Sequence, residues 1–339
     1  MYFFLAFFIS LTVTPGVIWL MRRLRVIDLP KTEARKIHKK KVPLGGGLAI
    51  IIAFFACIAM AFFVFHDIGK EVPARAIIGF TLGSLVLVVG GFLDDRFRLR
   101  PLRQVIFPVV ASLVAIFFGI GLKTVTNPAG GVIHLDQIVI IADLVVFFWL
   151  MAMMYTTKLL DGLDGLVSGI VAIGALVIFF LTRQPQWFQP EVGVLASILA
   201  GACLGFLCWN FYPAKIFLGE GGSLFTGYIL GILAIISGSK IATTLLVMGL
   251  PMLDVVRVLI RRFQKKQPLF AGDSEHLHFR LLASGLSHRQ TVLLFYGIAF
   301  LFGMSTLFLQ SKEKVIALSF LFILMLLTGI FFSKRDHVQ

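Results

Sequence analysis

The sequence predicts an all-α polytopic membrane protein of about eleven transmembrane helices, and three observations carry that prediction. Of its 339 residues 58% are hydrophobic, with 35 phenylalanines, and the mean hydropathy is +0.96. A soluble domain averages roughly 45–50% apolar residues even when glycine is counted. Apolar runs of about 18–22 residues, each long enough to cross roughly 30 Å of hydrocarbon, recur from one end to the other. The 31 Lys and Arg residues are concentrated in alternate connecting segments.

Taken in order, the runs lie near 1–20, 44–65, 76–93, 104–121, 139–157, 165–182, 191–211, 222–238, 241–256, 290–310 and 315–332. The first has no basic residue ahead of it and Arg22, Arg23 and Arg25 behind it. That order argues against a cleaved signal peptide and for a span whose N-terminus lies outside. From this start, the inner segments are 21–43, 94–103, 158–164, 212–221, 257–289 and 333–339, and they hold 24 of the 31 basic residues. The positive-inside rule then places the N-terminus outside and the C-terminus in the cytoplasm. The net charge of +14 is therefore a topology signal first, with anionic lipid or substrate phosphate as further uses. Nucleic acid is not expected as a partner. Cys57, Cys203 and Cys208 all fall within apolar runs, so neither a disulfide framework nor a zinc-type pair is indicated. No linker or low-complexity tract divides the chain, and 1–339 reads as a single integral membrane domain, with a homodimer left open.

Carboxylates are scarce here, and eight of the 17 gather at the inner ends of the runs: Asp94, Asp95, Asp161, Asp164, Glu220, Asp254, Asp273 and Glu275. Span ends are wet, so one acid there is ordinary. An adjacent pair, a pair three apart and an acid among glycines are less so. In GGFLDDRFRLR (90–100) two neighbouring carboxylates repel near a low-dielectric boundary unless a cation compensates. Arg96, Arg98 and Arg100 could supply it, giving a salt-bridged loop; the alternative is a magnesium or phosphate site, since hard oxygen ligands suit Mg²⁺. In KLLDGLDGL (158–166) a helical path would put Asp161 and Asp164 on one face, with Gly162 and Gly165 allowing close approach of a ligand. The plainer reading makes Asp164 a helix cap. FLGEGGS (217–223) opens the next run with an acid where a helix N-terminus should attract an anion; a metal between Glu220 and a phosphate would reconcile the two. RKIHKKKVPLGGG (35–47) is a dense cationic loop, and GDSEHLHFRLLASGLSHRQ (272–290) carries His276, His278, Arg280, His288 and Arg289. Zinc lacks a third suitably spaced ligand there; phosphate contact by imidazole and guanidinium suits the set better.

In this order the segments resemble the polyprenyl-phosphate N-acetylhexosamine-1-phosphate transferases, the superfamily that includes the phospho-MurNAc-pentapeptide translocases. The motifs run from about Arg35 to Gln290, and their combination is specific where no single one is. The resemblance implies transfer of a sugar-1-phosphate from a UDP-N-acetylhexosamine, UDP-GlcNAc first, to polyprenyl phosphate with release of UMP. It also implies Mg²⁺, with Mn²⁺ as a substitute, and a bacterial inner (cytoplasmic) membrane location. Asp94, Asp95 and Asp161 would be catalytic, the aspartate pair activating the lipid phosphate. Asp164, Asn210 and Phe217 would hold the uracil. Glu220, with Asp95, would bind the metal. Lys40, His38, Lys158, His276, His278 and Arg280 would contact sugar and phosphates, with Asp254 and Arg257 in support. Three positions depart from the family pattern: Glu220 stands where Asp is usual, Lys158 where Asn is usual, and Phe279 where a further His is common.

Two rivals weigh less. A transporter would place ionisable groups at mid-span, where this chain has almost none. A membrane prenyltransferase would repeat an acid three or four residues after the first, where Phe97 and Arg98 stand. The phospho-MurNAc-pentapeptide transferases remain the alternative within the superfamily. A protonated Lys158 cannot ligate a metal, so Lys158→Asn is expected to stay active while shifting the Mg²⁺ titration of activity; an unchanged titration would remove the idea.

Overall fold

A computed structural model describes residues 1–30, 40–122, 124–127, 131–135, 138–238, 240–266 and 275–336. Eleven long helices follow the apolar runs: α1 Tyr2–Arg23, α2 Gly47–Ala59 continued by a π-helical turn Met60–Val64, α3 Ala74–Phe97, α4 Pro101–Phe117, α5 Val139–Leu160, α6 Leu166–Leu181, α7 Pro190–Asn210, α8 Gly219–Ile236, α9 Ile241–Gln264, and, after the short α10 Leu277–Ala283, α11 His288–Ser305 and α12 Ser311–Asp336. Seven of these are long and apolar enough to cross a membrane, while α4 and α6 are shorter apolar helices. The protein is thus a polytopic helical membrane protein. Two small antiparallel ribbons that the sequence does not announce join β1 Ile27–Asp28 to β2 Val42–Pro43 and β3 Thr124–Thr126 to β4 Val132–His134.

Burial ranks the helices. Of the apolar window of α8, 89% is buried inside the protein, against 22% for α1, so α8 is the axis around which α2, α3, α5, α6, α7 and α9 pack. Small residues allow that closeness, as expected where lipid removes the hydrophobic drive between helices. A Cβ on Gly91 of α3 would overlap the backbone of Gly221, and one on Gly47 of α2 would overlap Gly222. These contacts draw the end of α3 and the start of α2 onto the first turn of α8.

Several helix ends differ from the sequence reading, each for a local reason. Asp94 and Asp95 sit in the last turn of α3, not in a loop. That helix stops at Arg98, whose left-handed backbone (φ 50°) turns its N–H onto the Asp94 carbonyl. Pro101 then opens α4 at a position where its missing N–H costs nothing. Lys158 lies in the last turn of α5. Residues 161–165 are a turn between α5 and α6, so Asp161 and Asp164 do not share a helical face, and the N-cap of α6 is Gly165 (φ 82°) instead of Asp164.

Candidate active site

The site begins with the first turn of α8. Phe217 and Leu218 are bonded to the chain that leads into α2: Phe217 N–H donates to Pro43 (2.9 Å), Gly46 N–H to Phe217 (2.9 Å) and Gly47 N–H to Leu218 (2.8 Å). Gly219 then turns with φ 79°, and a Cβ there would strike the Asp95 carboxylate. The buried N-terminus of α8 is answered by Asp95, which accepts the Glu220 N–H at 3.1 Å. A carboxylate on a helix N-terminus is favourable by about 0.3–1 kcal/mol when exposed and more when partly buried. The anion expected at this helix start is therefore Asp95, which frees the Glu220 side chain to point elsewhere.

Glu220 forms an ion pair with Lys158, the two side chains being 16% and 18% exposed. The ammonium also donates to Gln104 Oε1 at 2.9 Å. Gln104 in turn donates through Nε2 to Asp94 Oδ1 (2.9 Å) and to the Leu99 carbonyl (2.9 Å), and Leu99 N–H donates to the same Asp94 oxygen (2.7 Å). Asp94, Gln104, Lys158, Glu220 and Asp95 thus form a polar circuit joining α3, α4, α5 and α8. The salt-bridged loop considered from sequence is not what neutralises the aspartates: neither is ion-paired to Arg96, Arg98 or Arg100, and Arg96 lies over the Phe97 ring. Gln104 is the residue that the sequence reading missed. Its only signal was being uncharged in an arginine-rich stretch.

Next to the circuit is the turn 161–165. Burial first, then the charges of Glu220 and Asp164, push the Asp161 carboxyl up to about 8. Asp164 accepts the Ala214 N–H at 2.9 Å. Asn210 is 3% exposed; its Oδ1 accepts from Gly165 N–H (3.1 Å) and Ser168 Oγ (3.2 Å), and its Nδ2 donates to the Ile216 carbonyl (3.0 Å). Bonded through both amide atoms to the surrounding chain, Asn210 fixes the spacing between this turn and Phe217. Tyr296 of α11 completes the clamp by donating to the Gly165 carbonyl at 2.5 Å.

The histidine segment closes over the same turn. Asp254 of α9 accepts the Leu277 N–H (2.9 Å) and bonds His276 Nδ1 (2.9 Å) through one oxygen, while Arg257 holds the other (2.7 Å) and donates to the Glu275 carbonyl (2.7 Å). Arg280 also donates to that carbonyl through Nε, at 3.0 Å. His276 and His278 stack in parallel with centroids 5.6 Å apart. His278 is 1% exposed, lies against Gly162, where any Cβ would meet its ring, and among the described residues its Nε2 has no hydrogen-bond partner. Burial and the neighbouring His276 pull its pKa down to about 3, so it is neutral near pH 7. Lys40 is exposed, two residues ahead of β2. His38, Arg35, Lys36 and Asp273 lie outside the described residues.

Comparison with known proteins places the chain in a family. The glycosyl transferase family 4 model matches residues 77–238. A probable undecaprenyl-phosphate N-acetylglucosaminyl 1-phosphate transferase of Bacillus subtilis (strain 168) is 33% identical over 331 residues, covering 95% of this chain and 88% of its own length. The chain belongs to glycosyl transferase family 4. A decaprenyl-phosphate N-acetylglucosaminephosphotransferase of Mycobacterium leprae (strain TN) is 32% identical, covering 87% of this chain and 80% of its own. A phospho-N-acetylmuramoyl-pentapeptide-transferase of Desulforudis audaxviator (strain MP104C) is 30% identical, covering 86% and 92%. The family model ends at 238, before the histidine segment, so Asp254, His276 and His278 join the site through the fold and not through that match.

The resemblance implies a divalent ion, and the donor set can be tested for it. Among the described residues no three His, Cys, Asp or Glu side chains are grouped as a metal site, which argues against an all-protein cage. Magnesium asks for less: one or two carboxylates, the remaining positions filled by water and substrate phosphates. Asp95, on the Glu220 N–H, and Glu220 itself stand at the same helix start and could supply one carboxylate each. Asp161 lies buried beside them, within the field of Glu220 and Asp164. The residues fit the ion.

Two outcomes test this geometry. Removing Lys158 alone leaves the carboxylates uncompensated, so Lys158→Met is expected to lower the thermal midpoint more than Lys158→Met with Glu220→Gln, with a coupling of about 0.5–3 kcal/mol in a double-mutant cycle; additive effects would dissolve the pair. His278 takes up a proton in the unfolded chain near 6.5 and in the folded one only near 3. Its contribution therefore rises with pH across that window and is complete above it. His278→Gln is expected to flatten this part of the stability profile, read from thermal unfolding between pH 4 and 7.

Proposed function

We propose that the protein transfers an N-acetylhexosamine-1-phosphate, GlcNAc-1-phosphate first, from its UDP-sugar to polyprenyl phosphate and releases UMP. The observation that carries the reading is the gathering of Asp94, Asp95, Asp161, Glu220 and Lys158 at one end of the bundle, beneath a histidine segment packed on Gly162. The relatives support it by name: two are polyprenyl-phosphate N-acetylglucosamine phosphotransferases and the third a phospho-N-acetylmuramoyl-pentapeptide-transferase. The site would face the cytoplasm of a bacterial inner membrane, in line with the basic bias of 21–43, 94–103 and 257–289. There a soluble nucleotide sugar and a lipid headgroup can meet.

The reaction joins two anions, so positioning and charge compensation dominate its barrier. An oxygen of the polyprenyl phosphate attacks the phosphorus that carries the sugar. The bond from that phosphorus to the bridging oxygen breaks, and UMP leaves with the electron pair. Asp94 and Asp95 are assigned to the lipid phosphate, with Gln104 holding Asp94 in orientation. Mg²⁺, held by Asp95 and Glu220, would compensate the diphosphate charge and improve UMP as a leaving group. Lys158 contributes a fixed positive charge beside the transferred phosphate. His276, set by Asp254, and Arg280 are assigned to the diphosphate and sugar. Asp164 and the partly buried Phe217 are assigned to the uracil, on a turn whose spacing Asn210 keeps.

Incubation of membranes with labelled UDP-GlcNAc and polyprenyl phosphate is expected to give labelled lipid and UMP in equal amounts, lost on adding EDTA. Asp95→Asn is expected to lower kcat by roughly 100-fold or more, the scale for removing one preorganised electrostatic group. Label that stays water-soluble with every UDP-sugar tried would overturn the reading.

A further inference from the structure

A second charged cluster lies at the opposite end of the bundle. From Glu220, α8 runs 16 residues to Ile236, about 24 Å at 1.5 Å per residue, and Lys240 follows as the N-cap of α9. Lys240 is only 8% exposed. Its ammonium donates to Gln189 Oε1 at 3.1 Å and lies 5.9 Å over the Trp187 ring. Lys314, in the first turns of α12, donates to Thr243 Oγ1 at 3.2 Å, and Thr243 stands three residues along the same helix from Lys240. Lys240 and the hydroxyl that Lys314 bonds thus share the start of α9, where the N-termini of α9 and α12 also bring positive dipole ends.

No carboxylate among the described residues is ion-paired with either lysine. Glu191, two residues from Gln189, and Glu313, next to Lys314, are engaged elsewhere. Glu191 accepts the N–H groups of Gly69, Lys70 and Val72 at 2.9, 2.8 and 2.8 Å. Glu313 is exposed and accepts the Gln310 N–H at 2.7 Å. Burying like charges together is costly without a counter-ion, and the strain shows in Lys240, which burial and Lys314 pull down to about 8. An anion that accepts from both ammonium groups would remove the cost.

We propose that Lys240 and Lys314 form a binding site for a phosphate group at the end of the bundle remote from the carboxylate cluster. Phosphate suits the site because it carries several acceptor oxygens for ammonium donors and for free helix N–H groups. At the end of membrane-spanning helices it is available both as an anionic lipid headgroup and as a free ion.

The test uses the full chain, purified in detergent and stripped of lipid. It is compared with Lys240→Met/Lys314→Met, which keeps the side-chain stems but removes both charges, and with Lys240→Arg/Lys314→Arg, which keeps the charges. Thermal unfolding is recorded with phosphatidylglycerol, with an uncharged diacylglycerol, and with inorganic phosphate against chloride of equal ionic strength. Phosphatidylglycerol, and not diacylglycerol, is expected to raise the midpoint of the wild type and the arginine variant but not of the methionine variant. Retention of the lipid by the methionine variant in native mass spectrometry should fall roughly tenfold. A rise with inorganic phosphate alone, lost in the methionine variant, also supports the site and assigns it to the soluble ion. Equal rises in wild type and methionine variant, or no rise with either anion, would overturn it.

Discussion

The ion pair between Lys158 and Glu220 is the contact on which the catalytic end depends. Four carboxyl groups from three elements are brought close at the edge of a low-dielectric bundle, where ionising them together is costly without a cation. Lys158 sits between α5 and α8 and reaches across to Gln104, which binds Asp94. One cation thereby ties four helices and offsets the charge that they share. The pair is neither fully buried nor free in water, the regime in which removing one partner does more harm than removing both. Glycine makes it reachable: without the backbone contacts of Gly91 with Gly221 and Gly47 with Gly222, α8 could not approach α2 and α3 closely enough for Asp95 to meet the Glu220 N–H.

Much of this was readable from sequence because membrane physics makes helices and chemistry conspicuous. A long apolar run has few alternatives to a helix, and an acid in a chain with 17 of them stands out. What sequence did not give was local direction. The spacing of Asp161 and Asp164 suggested a shared helical face, but Gly162 and Gly165 break the helix, and the acids point to different neighbours. The arginines after Asp95 looked like its counter-charges because they are adjacent in sequence. The left-handed Arg98 turns the chain away, and compensation comes from residue 158, more than sixty positions distant. Asn210 was legible as a site residue but not as a brace, since only the fold shows both its amide atoms bonded.

The same logic explains the histidine segment. His276 carries a carboxylate partner and an arginine behind that partner, a chain that fixes one ring nitrogen and sets the orientation of the other. His278, two residues on, has no such partner among the described residues and is pressed against Gly162. Identical side chains therefore have different work: one is oriented for contact, the other is neutral packing that seats the segment on the turn below. Gly162 matters for the second as much as for ligand access, since any larger residue would lift the segment from the carboxylates.

Charge compensation also distinguishes the two ends of the bundle. At one end, anions outnumber cations, and the deficit is of the kind that a divalent ion and phosphates can share, since the ion brings positive charge and the phosphates bring their own counter-demand. At the other, no carboxylate among the described residues is ion-paired with Lys240 or Lys314, and Glu191 and Glu313 are committed to backbone N–H groups. Neither imbalance is needed to hold the helices: α8 is packed by small and apolar residues along its whole length, and neutral side chains would serve at both ends. A fold that tolerates unbalanced buried charge at a place where packing does not require it carries that charge for something from outside, and the sign of the imbalance gives the sign of what is bound.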